Sequence, residues 1–306
     1  MKIAKDITEL VGKTPLVQIN KVMGDDNFTV AKLEFFNPTS SVKDRAALEM
    51  VNEAERSGAL KKGSTIIEAT SGNTGISLAF IAAAREYKLV LVMPEAMSIE
   101  RKRLLKYLGA HLELTSAHLG MKGSIDRANV LAGEIENSFL VKQFDNPANV
   151  EAHVKTTARE LIEDTDKNID YVFVATGTGG TVTGIAKVLK KELKDVKIIA
   201  IEPEGSAVLG GGNAGPHMIQ GIGPGFIPSI MDVSLLDGIV SVGNEESYEY
   251  SKALAKEEGL IAGISCGATV AGAKKYIAEN NIKNKNIVLI FMDSGERYTS
   301  IDRLMS

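Results

Sequence analysis

The chain has 306 residues, of which 44% are apolar, and a formal net charge of −4. This is typical of a compact protein of one or two domains, and the interspersed charges provide no basic face for nucleic acid or an anionic membrane. No run approaches the ~18 apolar residues of a membrane span, and the first residues lack a signal-peptide core. The single cysteine, Cys266, excludes an internal disulfide and favours a cytoplasmic location.

Short apolar runs alternate with longer amphipathic segments along the chain. The apolar runs predict strands at 15–19, 28–34, 64–69, 88–93, 111–115, 139–141, 170–175, 196–202 and 286–292. The longer segments predict helices at 44–56, 73–87, 98–108, 122–137, 149–163, 245–258 and 266–280, and a further helix that follows GTGGT and ends near residue 193. Strands that alternate with helices indicate an α/β fold with parallel sheets and helices on both faces. Residues 203–237 form a long irregular stretch, and loops of that length are usually functional or disordered.

The stretch NPTSSVKDRAA (37–47) places Lys43 in the first turn of a predicted helix. Asn-Pro at 37–38 interrupts regular structure, and Ser40 or Ser41 can cap the helix. The helix dipole disfavours a cation at this end, so it favours the neutral amine that Schiff-base chemistry needs. A solvated surface lysine is the alternative that this stretch leaves open.

Two glycine-rich loops each join a predicted strand to a predicted helix. TSGNTG (70–75) offers hydroxyl and N–H groups that suit a carboxylate, although helix capping would also explain its Ser and Asn. GTGGT (177–181) offers backbone N–H groups and close approach, which suit a phosphate. A tight turn without a ligand is one alternative for GTGGT. A dinucleotide fingerprint is another, but Val182 occupies the position of its third glycine.

Three further features concern single residues. Ser265 opens a predicted helix after Gly263, and from the sequence alone it is an N-cap. Cys266 is interpreted as a small buried residue, although a helix N-terminus can also lower the pKa of a thiol. The 4 histidines are scattered without ligand spacing, so we expect no metal site.

Together these motifs resemble the cysteine synthase (O-acetylserine sulfhydrylase) family, pyridoxal-phosphate enzymes of fold type II with the tryptophan synthase β fold. The resemblance extends over nearly the whole chain. The other matching stretches are KTPLV (13–17), MPEAMSIERKRLLKYLGA (93–110), KQFDNPAN (142–149), IQGIGPGFIP (219–228), GISCGA (263–268) and SGERY (294–298). It implies two open parallel-sheet domains, with the cofactor in the cleft between them. One domain would comprise residues 1–12 and 35–145, and the other residues 13–34 and 146–306.

The resemblance also implies roles for individual residues. Lys43 would hold the cofactor covalently and act as the general base, while Ser265 would face the nitrogen of the cofactor ring. Asn73 would contact the ring hydroxyl. The residues implied to bind the cofactor phosphate are Gly177, Thr178, Gly179, Gly180 and Thr181. Those implied to bind the α-carboxylate of an amino-acid substrate are Thr70, Ser71, Asn73, Thr74 and Gln143.

The implied reaction removes the β-substituent of a serine or cysteine derivative through an α-aminoacrylate and adds a nucleophile. The leading expectation is that O-acetylserine and sulfide give cysteine and acetate. The main alternative is that cysteine and water give serine and hydrogen sulfide, with Asp232 as the base, although Asp232 is also explained as a turn residue or helix cap. More remote alternatives are a cystathionine β-synthase-like condensation and a non-catalytic scaffold. The resemblance further implies a homodimer.

Overall fold

The computed structural model describes residues 3–70, 72–97 and 99–305. The chain forms two compact units, the first from Met1–Val11 and Lys43–Ala152 and the second from Gly12–Val42 and His153–Ser306. One junction between the units therefore falls directly before Lys43. The domain boundaries and the cofactor position that the resemblance implies stay predictions.

Strands and helices alternate through both units. The strands are β1 (Leu16–Gln18), β2 (Phe28–Leu33), β3 (Thr65–Ala69), β4 (Lys88–Pro94), β5 (His111–Thr115), β6 (Ser138–Leu140), β7 (Tyr171–Ala175), β8 (Lys197–Pro203), β9 (Gly238–Val242) and β10 (Asn286–Phe291). The helices are α1 (Lys43–Arg56), α2 (Asn73–Ala84), α3 (Ile99–Tyr107), α4 (Gly120–Glu134), α5 (Ala148–Lys155), α6 (Thr157–Asp164), α7 (Gly180–Glu192), α8 (Asn244–Glu258), α9 (Ile264–Glu279) and α10 (Asp302–Met305). Among the described helices, none is both long and apolar enough to cross a membrane.

The first unit is built on a parallel sheet with the strand order β5-β4-β3-β6. Strand β3 is buried along its whole length. Ile66 belongs to an apolar cluster with Leu78 of α2, whereas Ile67 belongs to a second cluster with Ala128 of α4. Because successive side chains of a strand point to opposite faces, these clusters lie on opposite sides of the sheet. This confirms the predicted α/β layering.

The second unit is built on a six-stranded sheet with the order β1-β2-β10-β7-β8-β9. The pairing is parallel throughout except that β1 runs antiparallel to β2. Leu289 of β10 packs in one core cluster, and its neighbours Val288 and Ile290 pack in another. Both faces of this sheet are therefore covered, as the continuous apolar run of β10 predicts.

Three parts of the chain differ from the sequence prediction. The short helix α10 was not predicted. Strand β9 was not predicted, and it forms the edge of the second sheet by pairing in parallel with β8. The single helix expected over 149–163 is two helices, α5 and α6, because Thr156 between them has φ −122° and ψ −77°, outside the helical region.

Candidate active site

Lys43 is the first residue of helix α1, and its side chain is half-buried. The next residue, Asp44, is fully buried and accepts a hydrogen bond of 2.6 Å from Ser77 Oγ of α2. This contact fixes the start of α1 against the helix that follows TSGNTG. The structure therefore confirms that Lys43 opens a helix. The Asp44–Ser77 hydrogen bond anchors that helix beside the predicted carboxylate loop.

The loop before α2 and the turn after β6 lie at the same edge of the first sheet, because β3 and β6 are parallel neighbours. Thr74 Oγ1 donates a hydrogen bond of 2.7 Å to Gln143 Oε1, and both residues are buried. Thr70 is buried at the end of β3, and Asn73 is the first residue of α2. Ser71 lies outside the described residues. Hydroxyl and amide groups around a helix N-terminus form an arrangement that suits a carboxylate.

The GTGGT loop turns sharply between β7 and α7. Gly179 has φ +80°, a left-handed conformation that favours glycine. A Cβ atom at Gly179 would come within 2.6 Å of Met231 Cβ, and a Cβ atom at Gly177 would come within 2.4 Å of the Gly221 carbonyl oxygen. Both positions therefore require glycine, because other residues of the same chain approach them closely. At Gly179 the left-handed conformation is a second reason.

The donors of this loop point out of the N-terminus of α7. The hydrogen-bond ladder of the helix begins where the Thr183 N–H donates to the Gly179 carbonyl at 3.0 Å. The N–H groups of residues 180–182 therefore precede the ladder, at the positive end of the helix dipole. Thr178 and Thr181 add hydroxyl groups to this donor set, which fits a phosphate.

His153 contacts the GTGGT loop, which was not predicted from the sequence. Its buried imidazole shares a hydrogen bond of 3.1 Å with Thr181 Oγ1 through Nε2 and one of 2.9 Å with Thr157 Oγ1 through Nδ1. The contact with Thr181 spans 28 residues of chain, so local spacing could not reveal it. The available signal was the i,i+4 spacing of His153 and Thr157 within a segment predicted as one helix.

Helix α9 begins at the same edge of the second sheet as the GTGGT loop. Gly263, its N-cap, donates its N–H to the Asp293 carbonyl at 2.9 Å, just beyond β10, and β10 is the parallel neighbour of β7. Ser265 is buried in the first turn of this helix. Burial raises the pKa of the adjacent Cys266 thiol to about 12, so this cysteine is protonated and unreactive near neutral pH.

Asp232 lies close to the GTGGT loop in space, although about 50 residues separate them along the chain. Its N–H donates to Thr183 Oγ1 of α7 at 3.2 Å. Its Oδ1 accepts hydrogen bonds from Ser234, of 3.1 Å from the N–H and 2.6 Å from Oγ. This caps the short 3-10 turn Val233–Leu235, one of the two interpretations that the sequence left open. A role for Asp232 as a base stays a prediction.

Three of the groups described above have the chemistry that pyridoxal phosphate needs: the GTGGT loop, the Lys43 amine and the Ser265 hydroxyl. The phosphate suits the N-terminus of α7, where packing requires glycine at positions 177 and 179. The aldehyde suits a lysine amine. A buried serine hydroxyl suits its ring nitrogen. Within residues 3–70, 72–97 and 99–305, no group of three or more His, Cys, Asp or Glu side chains is placed to hold a metal ion.

Comparison with known proteins identifies the family. The model of the family described as pyridoxal-phosphate dependent enzyme matches residues 7–293, and the chain belongs to this family. The chain is 51% identical over 278 residues to the cysteine synthase of a Flavobacterium species, covering 91% of each chain. It is 49% identical over 297 residues to the cysteine synthase of Staphylococcus aureus, covering 96% of this chain and 95% of the relative.

Solved structures give the same result. The cysteine synthase of Entamoeba histolytica superimposes with a TM-score of 0.96 at 42% identity, covering 100% of this chain and 92% of that one. A hydrogen sulfide-producing enzyme of Fusobacterium nucleatum has a TM-score of 0.91 at 42% identity, covering 97% of this chain and 100% of that one. A further hydrogen sulfide-producing enzyme, 36% identical with a TM-score of 0.91 over 98% of this chain and 91% of that one, was solved as an aspartate-to-asparagine mutant with an alpha-aminoacrylate intermediate. The chain is therefore a pyridoxal-phosphate-dependent enzyme of the β-replacing or lyase type that acts on a small amino acid.

Proposed function

We propose that this enzyme makes cysteine and acetate from O-acetylserine and sulfide. The observation that carries the proposal is the buried Thr74–Gln143 pair at the N-terminus of α2, next to the anchored start of α1 at Lys43. This arrangement provides a carboxylate site and an amine in one unit, which an amino-acid substrate requires. The relatives named cysteine synthase support the choice of O-acetylserine and sulfide.

The proposed reaction assigns a task to each group. When bound, the cofactor supplies an electron sink next to the α-carbon of the substrate. The GTGGT loop would hold the cofactor phosphate, and the Ser265 hydroxyl would face the ring nitrogen. A hydroxyl cannot hold that nitrogen protonated as a carboxylate can, so the sink is weaker and suits loss of a β-substituent.

The substrate is held and deprotonated by residues of the first unit. The α-carboxylate binds at Thr70, Ser71, Asn73, Thr74 and Gln143. Lys43 Nζ then takes the proton from Cα while the β C–O bond breaks and acetate leaves. After hydrosulfide has formed the C–S bond, Lys43 returns the proton to Cα, which completes cysteine.

A product assay tests this proposal. Purified enzyme loaded with pyridoxal phosphate is given O-acetylserine with sulfide, or cysteine alone, and cysteine, serine and sulfide are measured. We expect cysteine formation in the first mixture, lost in the Lys43→Ala variant. Cofactor binding without any product would instead indicate the non-catalytic scaffold.

A second candidate function is the conversion of cysteine and water to serine and hydrogen sulfide. Two observations favour it: a relative that produces hydrogen sulfide was studied as an aspartate-to-asparagine mutant, and Asp232 is fixed beside the phosphate loop through Thr183. Water needs a base to act as a nucleophile, whereas sulfide is already largely hydrosulfide at neutral pH.

The Asp232→Asn variant tests this second candidate. With cysteine as the only substrate, we expect serine release to fall about 10²–10⁴-fold, while cysteine synthesis changes far less. Asp237→Asn is the matched control, because Asp237 lies in the same unit and is paired with Lys190 and Lys197. Equal serine release from the wild type and Asp232→Asn would remove Asp232 from the mechanism. No serine from the wild type would leave the synthase reaction alone.

We also propose a homodimer in the cytoplasm. The family resemblance supports the dimer, and the use of a single, buried cysteine supports the reducing compartment. Light scattering that shows a monomer at micromolar concentration would reject the dimer.

A further inference from the structure

Glu68 is a buried carboxylate to which the proposed reaction gives no role. It is the penultimate residue of β3, is 3% exposed, and lies between the parallel neighbours β4 and β6. A charge in this position is costly unless hydrogen bonds compensate it. Thr70, at the start of the proposed carboxylate site, follows two residues later.

The carboxylate is hydrogen-bonded to the turn that follows β6. Its Oε2 accepts the Lys142 N–H at 2.8 Å, and its Oε1 accepts the Gln143 N–H at 3.5 Å. Glu68 therefore contacts the main chain of a proposed substrate ligand.

The turn that Glu68 holds has an uncommon conformation. Lys142 has φ +54°, in the left-handed region that residues with a Cβ atom rarely adopt. Its carbonyl accepts the N–H groups of Asp145 and Asn146, each at 2.9 Å. Asn149 Nδ2 donates to the Gln143 carbonyl at 2.8 Å. Hydrogen bonds on both sides therefore maintain this conformation, and the carboxylate of β3 provides those on the sheet side.

The side chain of Gln143 extends from this turn to the proposed carboxylate site, where its Oε1 accepts the Thr74 hydroxyl at 2.7 Å. An ionised Glu68 makes charge-assisted hydrogen bonds to the two main-chain N–H groups of the turn. A protonated Glu68 makes only neutral hydrogen bonds to them, so it holds the turn that carries Gln143 less firmly.

The charge of Glu68 changes near neutral pH. Burial raises the pKa of Glu68 from 4.5 to about 7, and the Asp145 carboxylate, in the turn after β6, adds to the rise. The hydrogen bonds from Gln143 and Lys142 act in the opposite direction. Small changes in pH around neutrality therefore change the strength with which this turn is held.

We propose that ionised Glu68 is a positioning residue for the substrate carboxylate, and that it acts by holding the turn from which the Gln143 side chain reaches Thr74. Protonation of Glu68 then weakens the binding of α-amino acids that carry a free carboxylate. This inference rests on the proposed carboxylate site at Thr74 and Gln143.

The test measures binding rather than turnover, by isothermal titration calorimetry on the enzyme loaded with pyridoxal phosphate. The probes are L-serine, which has a free carboxylate and a poor leaving group, and L-serinamide, which lacks the carboxylate. The variants are Glu68→Gln and the matched control Glu34→Gln. Glu34 is also a buried glutamate, and it accepts the Thr14 hydroxyl at 2.8 Å in the second unit.

We expect the wild type to bind L-serine more weakly as the pH falls from 8 to 6. At pH 8, Glu68→Gln should weaken L-serine binding about tenfold, the effect of one charge-assisted hydrogen bond, and should leave L-serinamide binding unchanged. Its L-serine affinity should vary less with pH, whereas Glu34→Gln should retain the wild-type profile. Glu68→Asp, which keeps the charge, should recover part of the pH dependence.

Two results would overturn the inference about Glu68. In the first, Glu68→Gln binds L-serine with the same affinity and pH profile as the wild type. In the second, Glu68→Gln loses affinity for L-serine and L-serinamide equally, which would indicate general damage to the fold. If Glu68→Gln fails to fold, a flat wild-type profile for L-serine between pH 6 and 8 overturns it. A wild type that binds both probes equally would instead reject the carboxylate site itself.

Discussion

The two glycine-rich loops occupy equivalent places, at the carboxyl ends of parallel strands, but they are built differently. In GTGGT, an added Cβ atom at Gly177 would collide with the Gly221 carbonyl, and one at Gly179 would collide with the Met231 side chain. In TSGNTG, a Cβ atom at Gly72 would have no neighbour within 4 Å. The contacts of that loop come instead from side chains, of which Thr74 and Gln143 form the buried pair.

This difference corresponds to the two anions that we assign to the loops. A cofactor phosphate stays bound through every turnover, so a loop fixed by main-chain packing suits it. A substrate carboxylate enters and leaves, so side chains with exchangeable hydrogen-bond partners suit it. The pH-sensitive Glu68 belongs to the second kind of site, because it accepts hydrogen bonds from the Lys142 and Gln143 N–H groups.

The largest expected effect comes from exchanging glycine for alanine in each loop. Gly179→Ala combines a positive φ with a collision at Met231, so we expect a loss of about 3 kcal/mol and a cofactor affinity lowered about 100-fold. Gly72→Ala is the matched control and should change stability by no more than about 0.5 kcal/mol. Cofactor titration and urea unfolding measure both. Similar losses in the two variants would refute the contrast between the loops.

Because Glu68 titrates, the free energy of unfolding should depend on pH in a defined direction. Its pKa is raised from 4.5 to about 7 in the folded state, so its favourable contribution is complete below pH 4.5 and is lost as the pH rises through 7. Between these values, the free energy of unfolding of the wild type should fall relative to Glu68→Gln by up to about 3 kcal/mol. Urea unfolding at several pH values measures the difference. A constant difference would show that Glu68 does not titrate in this range.

Gln143→Ala should act on substrate binding. Loss of a hydrogen bond to a charged carboxylate should raise the KM for O-acetylserine about tenfold to a hundredfold, with a smaller effect on kcat and on cofactor affinity. Steady-state kinetics and cofactor titration check this. Gln18→Ala, at an exposed position of β1, is the control. A lowered cofactor affinity with an unchanged KM would show that Gln143 acts on the cofactor and not on the substrate carboxylate.

His153→Phe should have the smallest effect. It leaves the Thr181 and Thr157 hydroxyls without their imidazole partner, so cofactor dissociation should increase about threefold to tenfold. The control is His111→Phe, at the exposed first residue of β5. Equilibrium dialysis of the cofactor provides the measurement. If the two variants retain cofactor equally well, His153 does not support the phosphate loop.

The sequence predicted the elements that have a strong local pattern. Strands such as β3 and β10 are uninterrupted apolar runs, and both glycine-rich loops were recognisable because they follow such runs. Strand β9 was missed because it is short, partly exposed and stabilised by its edge pairing with β8. The break at Thr156 was missed because threonine is tolerated within helices, so the local sequence did not mark the interruption.

The supporting residues of the site could not be predicted, because they depend on strand order. Glu68 reaches Gln143 only because β6 pairs with β3, although β4 and β5 lie between them along the chain. His153 reaches Thr181 although α6 and β7 lie between them along the chain, and the local sequence gives no indication of the contact. Motifs within one loop were therefore visible in the sequence, whereas contacts between loops required the fold.

The most direct test concerns Lys43, which we propose holds pyridoxal phosphate. Borohydride reduction of the purified enzyme fixes the cofactor on the lysine that carries it, and peptide mapping by mass spectrometry then identifies that lysine. We expect a label on the peptide containing Lys43, and no label in the Lys43→Ala variant. A label on any other lysine of the wild type would contradict this proposal.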